Sequence, residues 1–364
     1  MIRLSRRQTL KGAAAVAAGS ALAAPAIAQS SLAGTTLRVA LFGGGHRDFV
    51  HSAVGSKIEA MGAKVEYVAG APAEHLAKLI AARGRPAPFD VVEMIDAIVP
   101  DFIGGNFLQK IDLSAIANRV EMPGFAYDDM KVANWVTQEG LVYNFVKFKE
   151  LGLDTPQTYS DFANAKLAGK IVFPDVGTGG WVNAMVGVSV EAGGNEGNID
   201  PGLAFVKDRL KPRSFFSGSG ETEYTEFKNG DIWGAVMHAG WAIQMRKRGI
   251  DHVRAAFPAM GPGKRGQLKL GYFGITRGTS PQVQKTAEAF INAMVAADAQ
   301  EEMTKARGLV PVNLPAMTRL SSASLLAENL MLKPEQVNNV YQVDFNKVKV
   351  PEWTDKWNRM VARR

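Results

Sequence analysis

The sequence predicts an α/β fold of two lobes with a ligand-binding cleft between them. Segments with strand character alternate with segments of helical periodicity, a pattern typical of parallel sheets with helical crossovers. No stretch rich in proline, glycine and serine separates the two halves, so we expect strands to connect them. Each half has one glycine-rich turn between a strand and a helix, at residues 43–45 and 177–180. Such turns expose backbone N–H groups to ligands, and we expect the two turns to face each other across the cleft.

Length and composition exclude several classes of protein. The 364 residues suffice for about two domains of ordinary size, and 46% hydrophobic with 21% charged residues is typical of a globular chain. The absence of cysteine excludes a disulfide framework, a cysteine-ligated metal centre and a thiol nucleophile. The net charge of +7 falls to +3 without the first 28 residues, which hold four basic and no acidic side chains. A charge this small and dispersed argues against a nucleic-acid-binding protein.

The first 28 residues have the pattern of an export signal. The adjacent Arg6 and Arg7 precede an uncharged run and an Ala-x-Ala end at Ala28, and this arrangement resembles a twin-arginine signal although Thr9 replaces the usual Phe. The run is short and rich in small residues, so it predicts a cleaved signal rather than a membrane span or a basic amphipathic helix. We expect the mature chain to be a periplasmic monomer. Because it has no cysteine that could be acylated, we expect no lipid anchor.

The elements follow in order from periodicity and from turn residues. In the first half, the pattern predicts strands at 36–42, 64–68 and 90–95, separated by helices that end at Gly62 and near residue 82. In the second half it predicts strands at 141–145, 170–173, 231–238 and 269–276, and a helix over 181–192. A single helix should cover 288–306 and end at Gly308.

The sequence contains no motif that supports catalysis, a metal site or a cofactor. Phosphate-binding loops and paired zinc histidines are absent, and His46 and His51 diverge on a helix because they are five residues apart. We therefore predict no catalytic residue, no metal and no cofactor. An exported hydrolase that uses Asp175 or Glu93 with His238 is the alternative from another class.

Six short blocks from residue 139 onwards carry a family resemblance. They lie at residues 139–144, 158–162, 167–171, 227–232, 308–313 and 351–358. With them, the chain from residue 37 to the C-terminus resembles the family-1 extracellular solute-binding proteins, in particular the spermidine/putrescine-binding branch. The resemblance implies the periplasmic binding protein type II fold, in which two crossover strands join two hinged α/β lobes.

The family also implies a function and a division of the chain. We expect the periplasmic substrate-binding subunit of an ABC importer, which passes its ligand to a permease of the inner membrane, with a chemoreceptor accessory as the alternative. The expected parts are lobe one (32–138 and 274–320), lobe two (139–273) and C-terminal helices packed across both lobes (321–364).

The resemblance makes a polyamine the default ligand, but the ligand residues depart from it. Asp175 matches a carboxylate that pairs with ammonium groups, whereas Thr178 stands in place of the second carboxylate and Met237 in place of an aromatic residue. A small carboxylate or phosphonate, held by the glycine-rich turns and Arg47, is therefore the alternative ligand. The candidate ligand-binding residues are Gly44, Arg47, Asp96, Asp175, Thr178, Trp181, Met237, His238, Trp241 and Tyr272.

Overall fold

The computed structural model describes residues 32–216, 221–330 and 333–362, so the predicted export signal lies outside the described residues. Within them, eleven strands form one mixed sheet. The strands are β1 (Thr36–Leu41), β2 (Lys64–Ala69), β3 (Val91–Ile95), β4 (Leu108–Gln109), β5 (Tyr127–Asp128), β6 (Lys131–Asn144), β7 (Ile171–Pro174), β8 (Ser214–Phe216), β9 (Gly234–His238), β10 (Val253–Ala256) and β11 (Gln267–Thr276).

Two long central strands connect the halves of the sheet. The strand order is β2-β1-β3-β11-β6-β9-β7-β8, in which each outer trio is parallel. The central strands β6 and β11 pair with each other antiparallel; β11 also pairs with β3, and β6 also pairs with β9. This topology confirms the predicted α/β fold with two crossover strands.

The helices that connect the strands differ widely in length. They are α1 (Gly45–Val50), α2 (Ser56–Ala60), α3 (Pro72–Ala81), α4 (Val99–Gly104), α5 (Phe145–Glu150), α6 (Trp181–Glu191), α7 (Asp200–Ala204), α8 (Glu221–Asn229), α9 (Gly240–Lys247), α10 (Pro281–Met294), α11 (Ala297–Arg307), α12 (Leu314–Leu320), α13 (Ser324–Asn329), α14 (Pro334–Val337) and α15 (Val350–Val361). A π-helical turn, His51–Gly55, joins α1 to α2. Among the described residues, no helix combines the length and apolar character that crossing a membrane requires.

The buried apolar side chains divide along the same line as the sheet. One cluster surrounds β1, β2 and β3 and extends to Val337 and Val340 near the C-terminus. A second cluster surrounds β7 and α6 and includes Trp353 and Trp357, which are one helical turn apart on the last helix. A third, smaller cluster packs α8 and α9 against β9.

Two element boundaries differ from the sequence prediction. The predicted helix over 288–306 is two helices, because Ala296 adopts an extended backbone (ψ 145°) between α10 and α11. The Gln300 amide donates to the Met294 carbonyl at 2.8 Å, and the Asn313 amide donates to the Val295 carbonyl at 3.1 Å. Side chains thus satisfy the carbonyls at the end of α10, which offsets the interruption. The strand predicted at 141–145 instead begins at Lys131.

Candidate functional site

A cavity of about 500 Å³ opens where the two halves of the sheet meet. The end of β1 and the start of α1 contribute Phe42, Gly43 and His46 from one half, and the end of β9 and the start of α9 contribute His238 and Trp241 from the other. Side chains of the crossover strands form its base: Trp135, Thr137 and Lys269. A volume of this size is typical of sites for small molecules.

A single buried carboxylate organises the wall of the cavity in the first half. Glu93, on β3, has no solvent-exposed surface, and its Oε1 accepts hydrogen bonds from His46 Nε2 at 2.9 Å and from Trp135 Nε1 at 2.7 Å. The same oxygen accepts from the Asn134 amide, and Oε2 accepts from the Phe42 N–H. Burial opposes ionisation of Glu93, but the charge and hydrogen bond of His46 and the other donors outweigh it and lower its pKa. Glu93 therefore fixes two rings of the cavity wall in place.

The cavity carries more cationic than anionic groups. Lys269, Arg248 and Arg307 line it, and Glu221 is the only acidic residue among the described lining residues. Arg248 donates three hydrogen bonds to Glu221 at 2.9, 3.1 and 3.1 Å, so these two charges compensate each other. Lys269 donates to the Gly179 carbonyl at 3.1 Å, and Arg307 has no ion pair among the described residues. Lys269 and Arg307 are thus the two cations of the lining that Glu221 does not compensate.

His238, on the opposite wall of the cavity, has a strongly lowered pKa. Burial, together with the charges of Lys269 and Arg307, lowers the pKa of His238 to about 3. His238 is consequently neutral near physiological pH. Its ring lies 5.6 Å from the Trp241 ring at an interplanar angle of 42°.

Two buried carboxylates, Glu139 and Asp96, lie close to Lys269. Its ammonium is 3.9 Å from Glu139, whose pKa is raised because burial outweighs Lys269 and the hydrogen bond from Thr137. Burial also raises the pKa of Asp96 to about 7, although Asp96 accepts hydrogen bonds from the Leu270 and Ala97 N–H groups. Burial thus works against the charged form of both carboxylates, which weakens their compensation of the Lys269 charge.

The structure brings only part of the predicted site together. His238 and Trp241 line the cavity, and Gly44 follows Gly43 in the loop that borders it. Met237 is 4% exposed and packs in the third core cluster, because successive side chains of a strand point to opposite faces. Met237 and His238 therefore cannot both face a ligand from β9.

The predicted residues around the second glycine-rich turn make contacts within the protein. Asp175 Oδ1 accepts a hydrogen bond from Trp357 Nε1 at 2.7 Å, and the Thr178 hydroxyl donates to the Asp175 carbonyl at 2.8 Å. Trp181 is 2% exposed and packs edge-on against Trp357 with the ring centroids 5.7 Å apart. Asp175 and Trp181, which the sequence predicted at the ligand, thus contact the last helix. The turn itself approaches the cavity through the Gly179 carbonyl, which accepts a hydrogen bond from Lys269.

The remaining predicted residues lie outside this cavity. Asp96 and Tyr272 line a second cavity of about 490 Å³, together with Lys131 and the segment 343–346. Arg47 is on the exposed face of α1, where it pairs with the neighbouring Asp48 at 2.6 Å.

Sequence reasoning missed most of the crossover and basic side chains. Lys269 interrupts an otherwise apolar strand, a signal that could have identified it as facing a cavity. Trp135 was missed because the start of β6 was not recognised, and Arg307 resembles an ordinary basic residue in the last turn of a helix. His46 was treated as a scattered histidine, since nothing local links it to Glu93. Among the described residues, no group of three or more His, Asp or Glu side chains could hold a metal ion.

The chain matches a known protein family over most of its length. The profile of the family described as bacterial extracellular solute-binding protein matches residues 57–322, well over half of the chain. The chain belongs to the bacterial extracellular solute-binding proteins. Members of this family bind small molecules for ABC transporters outside the cytoplasm and work with membrane permeases. No curated protein matches this solute-binding protein significantly.

Solved structures of similar fold support the architecture. An ABC transporter protein from Clostridium perfringens shares 21% identity at a TM-score of 0.72, over 89% of this chain and 99% of the other. PotD from Streptococcus pneumoniae, a spermidine/putrescine-binding protein, shares 15% identity at a TM-score of 0.72, over 90% and 98%. MotA from A. tumefaciens, solved with glucopine, shares 17% identity at a TM-score of 0.67, over 90% and 99%. At these identities the likeness extends to the two-lobe fold and not to the ligand.

Proposed function

We propose that this protein is the periplasmic substrate-binding subunit of an ABC importer and that it captures a small organic anion between its lobes. The proposal includes the division of the chain made from the sequence, with lobe one at 32–138 and 274–320 and lobe two at 139–273. It also includes twin-arginine export of a monomer without a lipid anchor. Binding without chemical conversion is the proposed activity.

The charge of the cavity is the observation that carries the proposed ligand class. Lys269 is 9% exposed at its side chain, so an anion that reaches it exchanges water for a charge-assisted hydrogen bond in a partly desolvated space. Arg307 adds a guanidinium as the second of these cations on the same cavity. A polyamine would instead bring positive charge towards these two cations, which is unfavourable at close range.

The carboxylates near the cavity also favour an anionic ligand over a polyamine. Glu221 is paired with Arg248, and Asp175, whose Oδ1 accepts a hydrogen bond from Trp357, is not among the described residues that line the cavity. A buried ammonium without such a partner is strongly unfavourable. The likeness to PotD leaves the polyamine branch as the competing ligand class, which the experiment below addresses.

A ligand screen by thermal unfolding tests the proposal. Succinate, glutarate and phosphonoacetate should be compared with spermidine and putrescine at matched concentration and ionic strength. An anion present at a hundred times its Kd should stabilise the protein by about 2.7 kcal/mol, which raises Tm by several degrees. Stabilisation by a polyamine with no response to any anion would contradict the proposed ligand class. Conversion of a bound ligand, detected by mass spectrometry, would contradict binding as the sole activity.

A further inference from the structure

We propose that the ligand carries a planar aromatic ring next to its anionic group, an inference that rests on the proposed function. The cavity has an aromatic wall on each side, one from each half of the sheet, and the Lys269 ammonium lies over the Trp135 ring of one of them. An aromatic carboxylate is the simplest chemical class with both features.

The first wall consists of Phe42 and Trp135. Their ring centroids are 6.4 Å apart at 53°, and the hydrogen bond from Trp135 to the fully buried Glu93 fixes the indole. A Cβ atom at Gly271 would overlap the Trp135 ring, so the glycine on the neighbouring strand provides the space in which this ring lies. The wall is therefore rigid before the ligand arrives, which reduces the entropy lost on binding.

The second wall consists of His238 and Trp241. Because His238 is neutral, its imidazole presents an aromatic face and does not repel a ligand cation or attract the anion. Both rings come from the strand end and the first turn of α9, and they line the cavity opposite the first wall. A flat ring between the two walls could make offset or edge contacts with aromatic surfaces of both lobes.

The cations are placed to bind an anion attached to such a ring. The Lys269 ammonium is 5.7 Å from the centroid of the Trp135 ring, and one of its three N–H donors is used by the Gly179 carbonyl. A ring stacked on Trp135 would bring a carboxylate substituent close to this ammonium. Arg307 approaches the first residue of α1, with its Nη1 only 3.1 Å from where a Cβ of Gly45 would lie. The anion and the ring thus have adjacent binding surfaces.

Matched pairs of acids test the aromatic ring separately from the charge. Benzoate should be compared with cyclohexanecarboxylate, and phthalate with cyclohexane-1,2-dicarboxylate, by isothermal titration calorimetry on the purified mature protein. We expect the aromatic member of at least one pair to bind about two- to tenfold more tightly than its saturated counterpart, because aromatic contacts add to the burial that both share.

Substitution of one wall provides the second measurement. Trp241→Leu should abolish the preference within the pair, whereas Trp233→Leu, at a tryptophan of the same half that does not line the cavity, should keep it. Equal binding of both members of each pair would overturn the aromatic inference and leave an anion-binding protein. Binding of spermidine with no binding of any acid would overturn the proposed function as well. Failure of all four acids to bind while succinate binds would again overturn only the aromatic inference.

Discussion

Single residues decide which charges the cavity presents. Glu93 is removed from the ligand by its own hydrogen bonds, while Glu221 is neutralised by Arg248. Lys269 and Arg307 therefore dominate the potential, although the described residues near them include several carboxylates. The proposed ligand class depends on which charges are already paired and not on the composition of the site.

Arg307 provides a direct test of this balance at the residue scale. Because the side chain is exposed to the cavity and has no ion pair among the described residues, Arg307→Met should leave folding intact and raise the Kd of an anionic ligand about tenfold. Titration calorimetry measures the change. Arg83→Met, at an arginine of the same half that lines a different surface pocket, should leave the Kd unchanged. Equal effects of the two substitutions would show that Arg307 acts only through the overall charge.

His238 makes folding depend on pH in a direction that can be worked out. The unfolded chain binds a proton at this position below about pH 6.5, whereas the folded protein binds it only near pH 3, so stability falls as the pH drops between these values. His238→Gln should remove this dependence and reduce the stability lost on going from neutral pH to about pH 5 by up to about 2 kcal/mol. Urea unfolding at several pH values measures it. His51→Gln, at an exposed histidine, should behave like the parent protein.

At the scale of elements, two helices from opposite halves meet at the edge of the cavity. The start of α9 and the end of α11 approach through Gly240 and Gly308, and the Gln244 amide donates to the Ala306 carbonyl at 3.2 Å. Gly308 has a φ of +69° as the left-handed residue that ends α11, as the sequence predicted. The two helices thus meet through the backbone at Gly240 and Gly308, beside the Gln244 side chain, and we expect closure of the lobes to depend on this contact.

A side chain at position 240, between the two helices, should oppose closure of the lobes. A Cβ atom at Gly240 would lie 2.7 Å from the Gly308 carbonyl oxygen, so Gly240→Ala should disfavour the closed form and raise the Kd of the ligand about tenfold. Without ligand, the open form avoids the overlap with Gly308. The tight contact with the His238 ring, at 3.0 Å, remains within the second half, so we expect a small decrease in Tm beside the larger change in Kd. Gly124→Ala is the matched control, because nothing lies within 4 Å of its Cβ position. An unchanged Kd for Gly240→Ala would mean that the ligand binds without this contact.

At the scale of the molecule, two strands and the C-terminal segment connect separate hydrophobic cores. Because the first and second clusters are built on different strand trios, each half can hold its own shape while β6 and β11 bend. A ligand that touches both walls has its full set of contacts only when the halves are close together. Its differential affinity then selects the closed form.

Small-angle X-ray scattering tests this closure. A saturating ligand identified in the screen should reduce the radius of gyration of the parent protein, since it shifts the population towards the closed form. The Gly240→Ala variant should need a higher ligand concentration for the same reduction. An unchanged radius of gyration with calorimetrically confirmed binding would contradict a hinged mechanism.

The sequence by itself determined the elements and the family. Strand and helix periodicity placed the main strands within a few residues, and collinear blocks indicated the solute-binding family, because these signals depend on neighbours along the chain. The unpredicted start of β6 and the break at Ala296 depend on partners far away in sequence, such as Gln267–Phe273 of β11 and Asn313.

Only the tertiary structure decided which side chains face the ligand. Asp175 was a sound choice from local pattern, but Trp357, 182 residues later, occupies it. Glu93 and Trp135 are likewise joined across 42 residues, and the cationic character of the cavity emerges only when such pairs are formed. Hydrogen bonds and ion pairs between distant residues determine which charges remain free, and a chain read in order contains no signal for those pairings.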